Sequence, residues 1–104
     1  MSEKPPHPGR LRERIAALAE QGAISFSAHA FDLRAKQRAI DINDARQVLR
    51  YGMIDGAIVA GKKSGEWKCK VIRKVERSAR WIGVVTVVIR DERLFVLTVE
   101  WEDR

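Results

Sequence analysis

Residues 27–52 read SAHAFDLRAKQRAIDINDARQVLRYG, and this stretch predicts two short helices in succession. Ser27 is a suitable N-cap for a helix that runs to about Arg38. The Asp41 side chain can cap the next helix, which has apolar positions at helical spacing and which Gly52 closes. Helices of this length are not stable alone in water, so we expect both to pack on a sheet.

A further helix is predicted before this stretch. From Gly9 onward, apolar residues recur at helical spacing, and Gly22 is placed to end the helix in a left-handed conformation. Residues 1–8 contain all three prolines of the chain and few apolar side chains, so we expect a flexible arm there. A chain of 104 residues has room for one hydrophobic core, and residues 9–104 are therefore predicted to form a single domain.

Strand-like patterns follow the helices. Residues 53–60 predict a first strand that Gly56 interrupts, and residues 61–65 predict a hairpin loop. From residue 67 the chain alternates between apolar and charged positions, and residues 81–89 are apolar on both faces, as in a central strand. Residues 93–101 form the last predicted strand, whereas residues 24–26 are expected to be a brief extended link. The fold class is therefore α+β, with three N-terminal helices packed on an antiparallel sheet of about four strands.

The composition favours a globular protein with a polyanionic or acidic partner. Hydrophobic residues make up 45% of the chain, and 20 Lys and Arg outnumber 14 Asp and Glu to give a formal charge of +6. This excess attracts phosphates or acidic proteins, although a simply solvated basic surface is an open alternative. The single cysteine, Cys69, excludes an internal disulfide and favours a reducing compartment. No apolar run is long enough for a membrane span or a signal peptide, so we expect a cytoplasmic protein that does not enter a membrane.

Six cations lie within thirteen positions around the predicted hairpin. Two lysines alternate along one strand face, two precede them in the loop and two basic residues follow. This number exceeds what protection of a sheet edge needs, so RNA binding is the favoured interpretation. Six phosphate contacts would give a log–log salt slope of about −4 for single-stranded RNA. The six are Lys62, Lys63, Lys68, Lys70, Arg73 and Lys74.

Two further groups are candidates within the helical stretch. Arg34 and Arg38 are one helical turn apart, so they can grip one phosphate or adjacent phosphates, or else form surface salt bridges. His29 has the side chain of a general base that works near neutral pH, although a structural role is the alternative. The chain's two histidines and one cysteine lack the spacing of a zinc site, so no metal or other cofactor is expected.

Two aromatic side chains are candidates for stacking on a nucleic-acid base. Tyr51 ends the third predicted helix and Trp101 lies near the C-terminus. The alternative for both is a place in the core.

Short motifs in the helical stretch resemble a family of uncharacterised bacterial domains. Residues 26–30, FSAHA, and residues 34–40, RAKQRAI, are similar to its signature of His-Ala, two arginines four positions apart, and Gly-Ile. Here Ala39 stands in place of the glycine, and residues 44–54 fit the continuation. The chain is more broadly similar to the MqsR-type toxins, relatives of the RelE-like mRNA interferases. Residues 6–22 look like the opening of these toxins, and residues 67–73 and 85–91 look like their later strands.

This resemblance implies a compact RelE-like α+β fold and the activity of a toxin-antitoxin system. The implied activity is metal-independent cleavage of mRNA, in which a ribose 2′-hydroxyl attacks the adjacent phosphate. The implied partners are mRNA and a cognate antitoxin protein, with the ribosome as a further candidate.

The resemblance also assigns residues to roles. It implies that Lys63, or Lys62 beside it, is the catalytic loop lysine and that Lys68 is the polar strand residue, and His29 is a third catalytic candidate. The catalytic tyrosine of these enzymes has no counterpart, since its place falls on Gly83 or an adjacent aliphatic residue. A non-catalytic module that binds RNA or protein is therefore the alternative, and docking of an acidic partner chain is a third hypothesis. The predicted RNA-binding residues are Lys62, Lys70, Arg73, Lys74, Arg34 and Arg38.

Overall fold

The structure is a computed structural model, and it describes residues 4–30, 40–76 and 79–102. Its α+β class confirms the prediction. Residues 28–30 are also helical, between β1 and α2. In chain order the elements are α1 (Pro8–Glu20), β1 (Ile24–Phe26), α2 (Ile42–Tyr51), β2 (Met53–Ala60), β3 (Glu66–Lys74), β4 (Trp81–Ile89) and β5 (Arg93–Glu102).

The helix ends follow the local signals in the sequence. Helix α1 starts at Pro8, one residue before the predicted start, and the His7 ring accepts a hydrogen bond from the Gly9 N–H at 3.1 Å. Proline is favoured in a first helical turn because its missing N–H is not needed there. Gly22 follows the helix with φ 77°, the left-handed conformation that was predicted for it.

The predicted cap of α2 is present as a reciprocal pair. The Asp44 N–H donates to the Asp41 carboxylate at 2.8 Å, and the Asp41 N–H donates to the Asp44 carboxylate at 3.1 Å. This pair satisfies two backbone donors that no helical carbonyl reaches. Ala45, Val48 and Leu49 are buried, as predicted for the apolar stripe.

Ser27 is the predicted cap of the helical residues that follow β1. Its hydroxyl accepts a hydrogen bond from the Ala30 N–H at 3.0 Å and donates to the Leu97 carbonyl at 3.3 Å. The cap prediction is therefore confirmed. The remainder of that predicted helix, including Arg34 and Arg38, lies outside the described residues.

The sheet has five strands in the order β1-β5-β4-β3-β2. Three pairings are antiparallel, whereas β1 pairs parallel to β5. The expectation of about four antiparallel strands is therefore wrong at residues 24–26, which form a fifth strand instead of a link. Three residues carry too little pattern to predict a strand, and only the tertiary contact with β5 supplies their backbone partners.

The two faces of the sheet differ in what covers them. Both α1 and α2 pack on one face, and β4 lies at the centre of the sheet, as predicted for residues 81–89. We call the opposite side the outer face; it includes Lys68, Lys70, Val85, Val87 and Phe95. The apolar residues among these are only half-buried. The helix-covered face contributes the buried strand residues Cys69, Val71, Ile82, Val84, Thr86, Val88, Leu94, Val96 and Val99.

Cys69 lies in the core as a free thiol. Burial raises its pKa from the ordinary 9.0 to about 11, because the apolar surroundings disfavour the thiolate. The thiol is therefore neutral near physiological pH, and it behaves as a small apolar core residue.

Candidate functional site

The six hairpin cations do not share one surface. Period-two alternation along β3 places Lys68 and Lys70 on the outer face, whereas Arg73 lies on the side that α2 covers. Lys74 is the last residue of β3, and it lines a cleft together with Arg73. The sequence-based grouping of all six on one cationic surface is therefore corrected to two separate sites.

Three of the six cations group at the hairpin end of the sheet. Lys62 and Lys63 lie in the β2–β3 turn, Lys68 follows in β3, and all three side chains are exposed. Among the described residues, no carboxylate forms a salt bridge with any of them. We call Lys62, Lys63 and Lys68 the hairpin patch; it is the larger group of unpaired cations that the structure assembles from the predicted set.

The hydrogen bonds that close the turn do not use the lysine side chains. The Gly61 N–H donates to the Glu66 carbonyl at 2.7 Å, and the Glu66 N–H donates to the Lys63 carbonyl at 3.2 Å. The Glu66 carboxylate accepts from the Lys63 N–H at 3.4 Å, and Gly65 takes a φ of 83° that favours glycine. The backbone is thus closed on itself, and the ammonium groups are left for other partners.

A cavity of about 460 Å³ opens on the outer face beside the hairpin patch. Lys62, Lys68 and the Glu66 carboxylate supply its charged lining. Its apolar lining gives a ligand a surface for rings or aliphatic groups next to two ammonium groups. The apolar side chains and the backbone that complete it are Ala60, Gly61, Val87, Ile89, Phe95 and Leu97.

Lys70 is paired with carboxylates, unlike the hairpin patch. Its ammonium group forms a salt bridge with Glu102 and lies 3.9 Å from Glu100. Gly83, on β4 between them, gives the pair its space, since a Cβ there would collide with Glu102 Oε1 and lie 2.8 Å from Lys70 Cε. Gly83, the position that corresponds to the catalytic tyrosine in the resemblance, is therefore covered by an ion pair. The two glutamates neutralise the Lys70 ammonium group, which weakens its attraction for a phosphate.

Arg73 belongs to a cleft between α2 and β3, which we call the α2 cleft. Its guanidinium carbon lies 5.2 Å from the centre of the Tyr51 ring and its Nη2 lies 3.4 Å from Glu76. The guanidinium carbon of Arg50 lies 4.8 Å from the same ring. The cleft has a volume of about 530 Å³ and is lined by Asp44, Gln47, Val48, Tyr51, Arg73, Lys74, Val75, Glu76 and Ile82.

His29 follows β1, which is at one edge of the sheet, whereas the hairpin patch lies towards the opposite edge. It is exposed in the first helical turn after β1, and β5 and β4 separate β1 from β3. Neighbouring strands are about 4.8 Å apart, so β1 and β3 are roughly 14 Å apart. The fold does not place the imidazole within hydrogen-bonding distance of Lys63 or Lys68, the two lysines with which it was grouped.

Sequence reasoning missed the acidic partners and part of the α2 cleft. Glu100 and Glu102 lie two residues apart at the end of β5, and Glu102 falls just beyond the predicted strand; nothing local shows which lysine they contact. Trp101, a candidate for base stacking, is half-buried against the core with the Arg80 guanidinium carbon 4.1 Å from its ring centre. Tyr51 is the more available aromatic, with 51% of its surface exposed.

Comparisons with known proteins give no match among family models, curated proteins or solved structures. Within the described residues, no group of three or more His, Cys, Asp or Glu is placed to hold a metal ion. The described helices include none with the length and apolar character to cross a membrane.

Proposed function

We propose that this chain binds single-stranded RNA through the hairpin patch. The observation that carries the proposal is the grouping of three exposed ammonium groups, Lys62, Lys63 and Lys68, for which the described residues supply no carboxylate partner, on a chain with a formal charge of +6. Lysines placed in this way neutralise phosphates and release the counterions that the phosphates hold.

The surface beside the patch favours a single strand over a duplex. Half-buried apolar residues of the outer face, Phe95 among them, line the neighbouring cavity. Unpaired bases can pack on such residues while the backbone follows the lysines, whereas bases within a duplex are stacked on each other. An acidic protein would satisfy the lysines as well, but it would not need the ring of Phe95.

A salt titration of RNA binding tests this proposal. The three unpaired lysines predict a contribution of about −2 to the log–log slope of affinity against salt. This is half the slope expected for six cations, because Lys70 is neutralised and both Arg73 and Lys74 lie at the opposite end of β3 from the hairpin. Fluorescence anisotropy with a labelled single-stranded oligonucleotide measures the slope. Salt-independent affinity, or binding of an acidic protein without any binding of RNA, would contradict the proposal.

RNA cleavage is the second candidate, and one specific observation favours it. Lys70, Glu100 and Glu102 meet on the same outer face as Lys68. A glutamate there would take the proton of the 2′-hydroxyl as its oxygen attacks phosphorus. Lys70 would give a proton to the 5′-oxygen as the P–O5′ bond breaks, and Lys68 would stabilise the charge on the phosphorane. This role corresponds to a toxin-like endoribonuclease with a RelE-like fold, for which a cognate antitoxin is the proposed protein partner.

Analysis of RNA ends tests this second candidate. Cleavage by this route leaves a 2′,3′-cyclic phosphate on one product and a 5′-hydroxyl on the other, and mass spectrometry identifies both. We expect Glu102→Gln to lower the cleavage rate by about 100-fold, the size typical of losing a general base. Intact RNA after long incubation at saturating protein would exclude cleavage while leaving RNA binding in place.

A further inference from the structure

The α2 cleft combines an aromatic ring with cations in a way that the hairpin patch does not. Tyr51 is half exposed, and two guanidinium groups lie at 4.8 and 5.2 Å from its ring centre. Lys74, the last residue of β3, is also part of the lining. A volume of about 530 Å³ is within the usual range of small-molecule sites and exceeds what a solvated ion needs.

We infer that the α2 cleft is a nucleotide-binding site, in which a base packs on the Tyr51 ring and a phosphate contacts Arg73. Aromatic rings stack on bases of any sequence, and a guanidinium group recognises phosphate oxygens in pairs. The polar groups of Gln47 and Glu76 line the same space and supply hydrogen-bonding partners for base edges. This site is separate from the hairpin patch and does not rest on the RNA binding proposed above.

The local structure fixes the backbone of Tyr51 beside β3. Tyr51 is the last residue of α2, and the Gly52 N–H that follows it donates to the Val48 carbonyl of the same helix at 2.7 Å. Gly52 also lies close to β3, since a Cβ there would lie 2.5 Å from the Ile72 carbonyl oxygen. Met53 then pairs directly with Ile72, one residue from Arg73. The helix end also favours a cation such as Arg50, because the carbonyl end of a helix carries partial negative charge.

The carboxylates of the cleft do not cancel its cations. Among the described residues, Arg73 forms a salt bridge with Glu76 alone, at an N–O distance of 3.4 Å, and the Glu76 side chain is 87% exposed. Exposed pairs of this kind contribute little, so a phosphate can replace Glu76 as the partner of Arg73. The Asp44 carboxylate accepts the Asp41 N–H in the cap of α2, which keeps it directed at the backbone.

Nucleotide titrations followed by NMR test this inference. We expect guanosine 5′-monophosphate to shift the amide signals of Tyr51 and Arg73, and to bind more tightly than inorganic phosphate. Tyr51→Ala should weaken binding about tenfold because the stacking surface is lost, whereas Tyr51→Phe, which keeps the ring, should bind like the wild type. Alanine substitution of the hairpin patch should leave this binding unchanged, which separates this test from that of the proposed function.

The same variants distinguish the source of the nucleotide. Binding of the free monophosphate that Tyr51→Ala weakens assigns the cleft to a free nucleotide. If only an oligonucleotide binds, and Tyr51→Ala weakens that binding, the cleft takes a nucleotide within an RNA chain. The inference is overturned if inorganic phosphate binds as tightly as the monophosphate, or if Tyr51→Ala changes neither titration.

Discussion

Replacing Lys62, Lys63 and Lys68 together by alanine is expected to weaken the binding of single-stranded RNA by roughly 100-fold at low salt. Each exposed ammonium–phosphate contact in water contributes a factor of about five, and three such contacts multiply. The variant should also lose the part of the salt dependence that the patch contributes, so the log–log slope becomes shallower by about 2. Anisotropy titrations at several salt concentrations measure both quantities.

A matched variant controls for net charge. Lys4, Arg10 and Arg12 are also exposed and lie outside the hairpin, and replacing them by alanine removes the same three charges. We expect this control to change RNA affinity less than the hairpin variant does, since these cations act only through the general field, which salt screens. Equal losses in the two variants would mean that RNA responds to net charge and that the hairpin patch is not a site.

Gly52→Ala is expected to destabilise the protein by about 3 kcal/mol, the upper part of the range for added atoms in a packed region. Its Cβ would lie 2.5 Å from the carbonyl oxygens of Ile72 and Val48 and 2.9 Å from Val71 Cγ1. Two of these three atoms are backbone, so α2 and β3 would have to move apart for the methyl group to fit. Urea denaturation followed by circular dichroism measures the loss.

Gly22→Ala is the control for this second prediction. Gly22 has φ 77°, but no heavy atom lies within 4 Å of the position that a Cβ would take. Its substitution adds backbone strain of about 1 kcal/mol without a collision. Two results would contradict the close contact of Gly52 with β3: unfolding of Gly52→Ala at the same urea concentration as the wild type, or a stability of Gly52→Ala no lower than that of Gly22→Ala.

Much of the secondary structure was predictable because its signals are local. The caps at Ser27 and Asp41 depend on backbone donors within three residues, and Gly22 follows from the need for a left-handed residue after a helix. The bounds of β4 were predicted correctly from its continuous apolar run. The strand β1 was missed because its three residues form no pattern by themselves.

The candidate site was predictable only in part. Alternation along β3 correctly placed Lys68 and Lys70 on one face, and the same alternation already assigned Arg73 to the other face, although it was grouped with the lysines. The pairing of Lys70 with Glu102 joins residues that are far apart in the sequence, and it depends on the register of three strands. No local sequence feature of Lys70 or Glu102 predicts this salt bridge.

The sequence by itself determined α1, α2 and the strands β2 to β5, and which side chains alternate along β3, since periodicity and capping act between near neighbours. Only the tertiary structure decided which cations remain available for a ligand. Strand register brings Glu102 over Gly83 to neutralise Lys70, and the contact of α2 with β3 brings Tyr51 beside Arg73. Whether a charged side chain is available to a ligand depends on which groups the fold places within a few ångströms of it, and those groups come from distant parts of the chain.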